Sequence, residues 1–299
     1  MKVTIFGWGH LSDHEFFDEH TKNNLEITYR SCVSAYQINT DIWKEVWNKC
    51  ENEDLVFIAG FGNPCSYWID NIKFYDPFFS KIKRLSYWSF DNHHDIYEKD
   101  ARKHFTDWLV AHTGYENNTG PNSIHLPVCY FQNSYDQFKN LIKDVHPSKD
   151  IIFHHRKYPI GDRDVLSQKM IQYIEELKLT YDFSPMNGNV EYAKSLQGCK
   201  VGLNISLLND LNLRNFEVWM ANKPLLTNYL PNYEMFPELN KDTIFYNRDL
   251  SDFKDKLQES LEKKVDSRRH IIKHHMLTNR YLEAINLIMN SNFKINFPE

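Results

Sequence analysis

The sequence predicts an α/β protein built of two parallel-sheet halves, and three observations carry that prediction. Short apolar runs bounded by turn formers alternate with helical stretches along the whole chain, the spacing of βαβ units. The pattern stops at the polar stretch Lys143 to Asp150, which contains Pro147, and then starts again. At 299 residues, with 41% hydrophobic and 15% aromatic side chains, the chain has the material for two packed cores.

In order, Lys2 to Phe6 reads as the first strand, with Gly7-Trp8-Gly9-His10 as the loop after it. Leu25 to Tyr29 is a second strand. Asp41 to Cys50 is helical, with Ile42, Val46 and Trp47 on one face. Asp54 to Ala59 is a third strand, ending in the small-residue loop Gly60 to Pro64. Leu85 to Phe90 is a fourth, followed by Asp91-Asn92-His93-His94-Asp95; Trp108 to His112 and Ser123 to Pro127 complete the first half. The second half opens with strand Ile151 to His154 and a helix from Arg163 to Leu177. Strand Leu179 to Phe183 and helix Val190 to Leu196 follow. Then come strand Val201 to Ser206, a polar loop and a helix from Leu213. Asn222 stands where a helix ends in a left-handed residue, and Pro224 forbids continuation. Leu225 to Thr227 and Thr243 to Tyr246 are the last strands, Leu250 to Leu261 and Ser267 to Met289 the last helices. The expected organisation is two Rossmann-like domains, 1–146 and 147–299, facing across a cleft, with the terminal helix packing back on the first.

Composition excludes several classes. A net charge of −5 gives no global attraction to nucleic acid or anionic membrane. No apolar run approaches the roughly 20 residues of a membrane span, and MKVTIFGWGH turns polar too soon for a signal peptide. Five scattered cysteines without a C-x-x-C pair suggest neither a zinc site nor a disulfide framework and fit a reducing cytoplasm. Two glycines after the first strand, Gly7 and Gly9, let a backbone approach a ligand, but no third completes a dinucleotide fingerprint.

Candidate site residues gather at strand ends. Arg214 and Glu217 lie near the start of a helix after Val201 to Ser206, the end of an open α/β sheet where ligands bind. A glutamate there can accept two hydrogen bonds from a ribose diol, and an arginine can fork onto phosphate; an ordinary surface pair on an amphipathic helix is the competing reading. His154-His155-Arg156-Lys157, with Gly161-Asp162-Arg163 before a helix, can hold a diphosphate, Arg156 and Arg163 foremost; a solvated charge run is the alternative. Asp162 and Asp164 spell D-x-D, but Asp162 reads better as a helix cap than as a metal ligand. Asp91, His93 and His94, or His10, could take a proton from an acceptor or hold a sugar; plain loop residues compete with that role.

The stretch LNIS, a polar loop, then R-x-F-E-x-W-x-A-N-K-P-L-L-T resembles the nucleotide-sugar site of GT-B glycosyltransferases, and most of all the spore-maturation, CgeB-like group. Tyr87 to Asp91 with Trp108 to Val110, Ile151 to Phe153 leading to Arg163, and His275 with Arg280 are similar to further family segments in the same order. The resemblance implies a GT-B fold and a transferase moving a sugar from a nucleoside diphosphate sugar, such as a UDP-sugar, to a hydroxyl acceptor. It implies that Glu217 holds the ribose, and it leans towards retention without metal. Two departures stand out: the first glutamate of the pair that many retaining members carry falls at Asn209, beside Asp210, and the usual turn glycine is Asn222. The first departure keeps a non-catalytic nucleotide-sugar binder open, and an epimerase of the same fold is a third reading. A glycan, a protein, a small molecule or a modified DNA base could be the acceptor, the net charge disfavouring duplex DNA. No cofactor beyond the co-substrate and no metal is expected; the oligomeric state is left open.

Overall fold

The computed structural model describes residues 1–7, 16–31, 47–60, 79–89, 102–111, 123–130, 140, 142–154, 162–184, 189–206 and 211–296. They form two compact units: Met1–Val128 with Leu277–Glu299, and Cys129–Met276. The first holds β1 (Lys2–Gly7), β2 (Glu26–Ser31), β3 (Leu55–Gly60), β4 (Leu85–Ser89), β5 (Asp107–Val110) and β6 (Ile124–His125). They make one sheet in the order β2-β1-β3-β4-β5-β6, every pair parallel. A short helix, α1 (Glu19–Asn24), is capped by the Asp18 carboxylate, which accepts from the Thr21 amide. Its six residues are too few to show a helical period, so periodicity alone misses it.

The second unit holds β7 (Lys149–Ile152), β8 (Tyr181–Asp182), β9 (Cys199–Leu203), β10 (Leu225–Asn228) and β11 (Thr243–Tyr246). These are also all parallel, in the order β11-β10-β9-β7-β8. Its helices are α2 (Arg163–Glu176), α3 (Asn189–Gln197), α4 (Leu213–Met220), α5 (Pro237–Asn240), α6 (Phe253–Glu262) and α7 (Ser267–His274). One core runs beneath the sheet: Ile151, Phe153, Val201, Leu203 and Leu226 from the strands meet Met170 and Ile174 of α2 and Phe253 and Leu257 of α6. Continuous apolar strands are what a parallel sheet covered on both faces requires.

The division between units falls at Val128 and Cys129 rather than at 146 and 147. Tyr130 already belongs to the second unit, where its amide donates to the His275 carbonyl at 2.8 Å and it bridges Met276. That bridge also breaks the expected helix Ser267 to Met289. His275 leaves the helical region at φ −130°, ψ 24°, and α8 (Leu277–Met289) starts afresh in the first unit. There Arg280 donates to the Pro127 carbonyl at 3.0 Å, and Tyr281 packs edge-on to Phe57. The strands expected at 123–127 and 179–183 shrink to two residues each.

Two glycines are set by packing. A Cβ at Gly7 would lie 2.1 Å from the Tyr281 hydroxyl oxygen, so the space beside it is filled by α8. At Gly202 a Cβ would lie 2.5 and 2.6 Å from the two Val218 methyl carbons, because α4 is pressed directly onto β9. Gly202→Ala is therefore expected to lower stability by about 1–3 kcal/mol. Urea unfolding should show it as a lower midpoint at unchanged slope; an unchanged midpoint would mean that α4 moves aside at no cost.

Candidate functional site

The second sheet reverses its winding between β7 and β9. The chain leaves β7 towards β8 on one side, then returns to place β9 on the other. In such sheets the crevice outside the carboxyl ends of the two central strands is where ligands bind. Phe153 and His154 follow β7, and Asn204, Ile205 and Ser206 follow β9, so both sets stand at that crevice.

Helix α4 brings the acidic and basic groups there. Asn212 caps it in an extended conformation, its side-chain oxygen accepting from the Arg214 amide at 3.2 Å. The far end closes as sequence predicts. Asn222 is left-handed at φ 57°; its amide donates to the Trp219 carbonyl and that of Lys223 to the Val218 carbonyl, a Schellman closure. Phe216, Val218, Trp219 and Met220 are buried. That orientation leaves Arg214 and Glu217, one turn apart, on the partly exposed face.

Arg214 is fixed from two sides. Its guanidinium carbon lies 5.3 Å from the centre of the Phe153 ring and 5.9 Å from that of Tyr192 on α3. Its Nε donates to the Tyr192 hydroxyl oxygen at 3.4 Å. Close packing pushes the Glu217 carboxyl up to about 7; the Arg214 charge and the Tyr192 hydroxyl hold it below where burial alone would put it. Tyr130 also feels this carboxylate, which adds to the upward push of burial on its own phenol.

His154 has a different job from the one its place in a basic run suggests. Its Nδ1 lies 2.6 Å from the Ser184 carbonyl oxygen and its Nε2 2.7 Å from the Ser195 hydroxyl. A carbonyl can only accept, so Nδ1 carries the proton and Nε2 accepts from Ser195. Burial holds its pKa below the usual histidine value, opposed by the Ser184 carbonyl and Asp182. The ring is thus a neutral pin for the end of β7, packed edge-on to Tyr192 at 5.9 Å.

Arg163, in the first turn of α2, reaches the carboxyl end of β9, where its Nη2 donates to the Ile205 carbonyl at 2.9 Å. Arg248, in the loop after β11, joins it: Nη1 donates to the Ser206 carbonyl at 2.7 Å and Nη2 to Asp162 Oδ1 at 2.5 Å. Asp162 is thus paired with an arginine, and no capping hydrogen bond from its side chain is present at α2. Buried amides fix the backbone between these groups. Asn204 Nδ2 donates to Asn215 Oδ1 at 2.9 Å and Ser206 Oγ at 3.1 Å, and Asn228 Oδ1 accepts from the Ser206 amide at 2.8 Å.

Glu217 and Arg214 are therefore brought together, while Arg163 stands at the neighbouring strand end. Arg156, Asn209, Asp210, Gly9, His10, Asp91 and His93 lie outside the described residues. Sequence reasoning missed Tyr192, Arg248, Asn204 and Asn228. Tyr192 reads as one more helix residue, and only the packing of α3 against the end of β7 gives it a role. Among the described residues no group of three or more His, Cys, Asp or Glu side chains could hold a metal ion, and no helix is long and apolar enough to cross a membrane.

Residues 171–285 match the model of a family described as Glycosyl transferase-like. That segment contains Tyr192, Arg214, Glu217 and Arg248 and leaves Arg163 outside. Solved structures superpose over nearly the whole chain. An alpha-glucosyltransferase in complex with UDP and a 13-mer DNA containing a central A:G mismatch aligns at TM-score 0.57 with 10% identity, covering 97% of this chain and 100% of that one. The fold is GT-B. Two other GT-B relatives in structure are the sucrose-phosphate synthase of Thermosynechococcus elongatus and a glycosyltransferase involved in Avilamycin A biosynthesis. The first aligns at TM-score 0.53 and 7% identity over 97% of this chain and 99% of its own. The second aligns at 0.51 and 9% over 98% and 100%. No curated protein matches the sequence. In this GT-B fold the segment that matches the glycosyl transferase-like model lies mostly in the second unit and runs on into α8 of the first.

Proposed function

We propose that the protein is a glycosyltransferase of the CgeB-like kind, moving a sugar from a nucleoside diphosphate sugar to a hydroxyl acceptor. The observation that carries the reading is Glu217 itself. It is a close-packed carboxyl on the helix after β9, beside Arg214, in a glycosyl transferase-like segment. Keeping such a group at the winding reversal of a sheet is costly unless a ligand uses it.

Glu217 would accept hydrogen bonds from both ribose hydroxyls, and Arg163 and Arg156 would face the diphosphate. In the transfer, the bond between the anomeric carbon and the phosphate oxygen breaks, and the phosphate keeps the electron pair. Positive side chains and the first turn of α2 stabilise that developing charge. For a retaining outcome the acceptor oxygen attacks from the leaving-group face, and its proton passes to the departing phosphate. UDP is the nucleotide to test first, since an alpha-glucosyltransferase of this fold was solved with it. His10, Asp91 and His93 are the acceptor-side candidates to substitute once an acceptor is in hand.

The test has two parts. Calorimetric titration with UDP and GDP should give saturable binding to one of them. Incubation with the matching nucleotide sugars should release free nucleotide in the presence of acceptor. Because cationic side chains and a helix terminus take the place of a divalent ion in this reading, activity should survive exhaustive EDTA treatment. Loss that Mn²⁺ restores would instead make Asp162 and Asp164 metal ligands.

A further inference from the structure

The Tyr192 hydroxyl stands at the meeting point of the two charged groups of α4, although it lies on a different helix. Its ring is held from three directions. His154 packs edge-on against it, the Arg214 guanidinium lies over its face, and α3 supplies its backbone. His154 is itself tied at both ring nitrogens, so the ring it supports has little freedom. Arg214 Nε donates to the tyrosine oxygen at 3.4 Å. That leaves the phenolic proton free to point towards Glu217, and the mutual effect of the two groups on each other's titration fits this contact. A phenol so placed accepts from an arginine and donates to a carboxylate, two charge-assisted contacts through one oxygen.

We propose that Tyr192 is a positioning residue for nucleotide binding: its hydroxyl bridges Arg214 to Glu217, orients the carboxylate, and fills one acceptor direction until a ribose hydroxyl takes part. The inference rests on the ribose role assigned to Glu217 above. Among the described residues, three groups face that carboxylate: Arg214 on its own helix, Tyr192 on α3, and Tyr130 beside the His275 segment. Arg214 favours the charged carboxylate; the phenol of Tyr192 favours it as a donor. Removing the donor should make Glu217 harder to ionise, so a ligand that needs the carboxylate should bind well only at higher pH.

The test is Tyr192→Phe, which keeps the ring and its contacts and deletes the hydroxyl. UDP affinity is measured by calorimetry from pH 5.5 to 8.5. In wild type the affinity should fall as pH drops through about 7, the value for Glu217. In Y192F the same fall should begin about one pH unit higher, the size expected for one lost charge-assisted hydrogen bond. At pH 7 this appears as roughly five- to tenfold weaker binding that recovers by pH 8.5. A ¹³C titration of the Glu217 carboxyl in ligand-free protein should show the same upward displacement without any nucleotide. An unchanged midpoint in both measurements overturns the proposal. A double variant separates this from simple loss of structure. On a Glu217→Gln background, Y192F should cost nothing further, because the group it acts through is gone; an additional loss would mean that Tyr192 acts on the fold or on the ligand directly, and the proposal fails. If E217Q binds UDP like wild type, the ribose role of Glu217 fails. In that case the ¹³C titration still decides whether Tyr192 orients the carboxylate.

Discussion

Glu217→Gln is expected to weaken nucleotide binding by one to two orders of magnitude while the protein stays folded. In the proposed ribose role the carboxylate would offer two charged acceptor oxygens to the diol, and charge-assisted hydrogen bonds contribute roughly 1.5–3 kcal/mol each. The amide has nearly the same shape, but only one acceptor oxygen, no charge, and an N–H₂ that meets a hydroxyl as donor against donor. A net loss of about 1.5–3 kcal/mol follows, which is about ten- to a hundredfold in Kd. The competing account makes Glu217 a brace for Arg214, one helical turn away on α4. On that account E217Q leaves affinity untouched and lowers the melting temperature. Calorimetric titration of both proteins with UDP and GDP, beside thermal melts without ligand, separates the two. Wild-type affinity in a well-folded E217Q would remove the central residue of the proposed function.

Much of this arrangement could be read from the sequence because its signals are local. The alternation of apolar runs and helical stretches predicts two parallel sheets, and both are present. Asn222 and Pro224 predict the end of α4, and the left-handed Asn222 is there. Arg214 and Glu217 fall on one face of α4 because their spacing puts them there. What the sequence hides is set by distant contacts. Nothing near His275 interrupts the helical pattern of 267–289; a bridge to Tyr130, far away in sequence, does. The basic look of His154-His155-Arg156-Lys157 suggests one charged patch, yet His154 is buried and neutral between Ser184 and Ser195. Gly7 looks like a site for close ligand approach, and the structure puts the Tyr281 hydroxyl beside it. Tyr192 and Arg248 carry no motif at all, and they reach the site only through the packing of α3 and the loop after β11.

The same substitution should make the ligand-free protein relatively more stable as pH rises, the mark of a charge kept in place for a ligand. In the unfolded chain Glu217 takes the ordinary glutamate value of 4.5; in the folded protein it stands at about 7. Its folded value is raised, so between these limits the native state holds a proton that the unfolded state has released. Stability from this group is therefore highest below pH 4.5, falls as pH rises through the interval, and levels off above about 7. Between pH 5 and 8 the loss comes to about 2–3 kcal/mol. A glutamine has no proton to release, so E217Q lacks this loss. Every other titrating group is common to the two proteins, and subtracting one unfolding curve from the other removes them. Urea unfolding at pH 5, 6, 7 and 8 should thus show E217Q gaining on wild type by about 2–3 kcal/mol across the series, whichever is the more stable at pH 5. Saturating UDP should offset most of the gain at pH 8, since wild type, binding about ten- to a hundredfold more tightly, is stabilised by about 1.4–2.7 kcal/mol more by mass action. A difference between the two proteins that stays constant from pH 5 to 8 would mean that Glu217 titrates as an ordinary surface carboxylate. Together with unaltered UDP affinity, that outcome would leave this side chain neither strained nor reserved for a ligand.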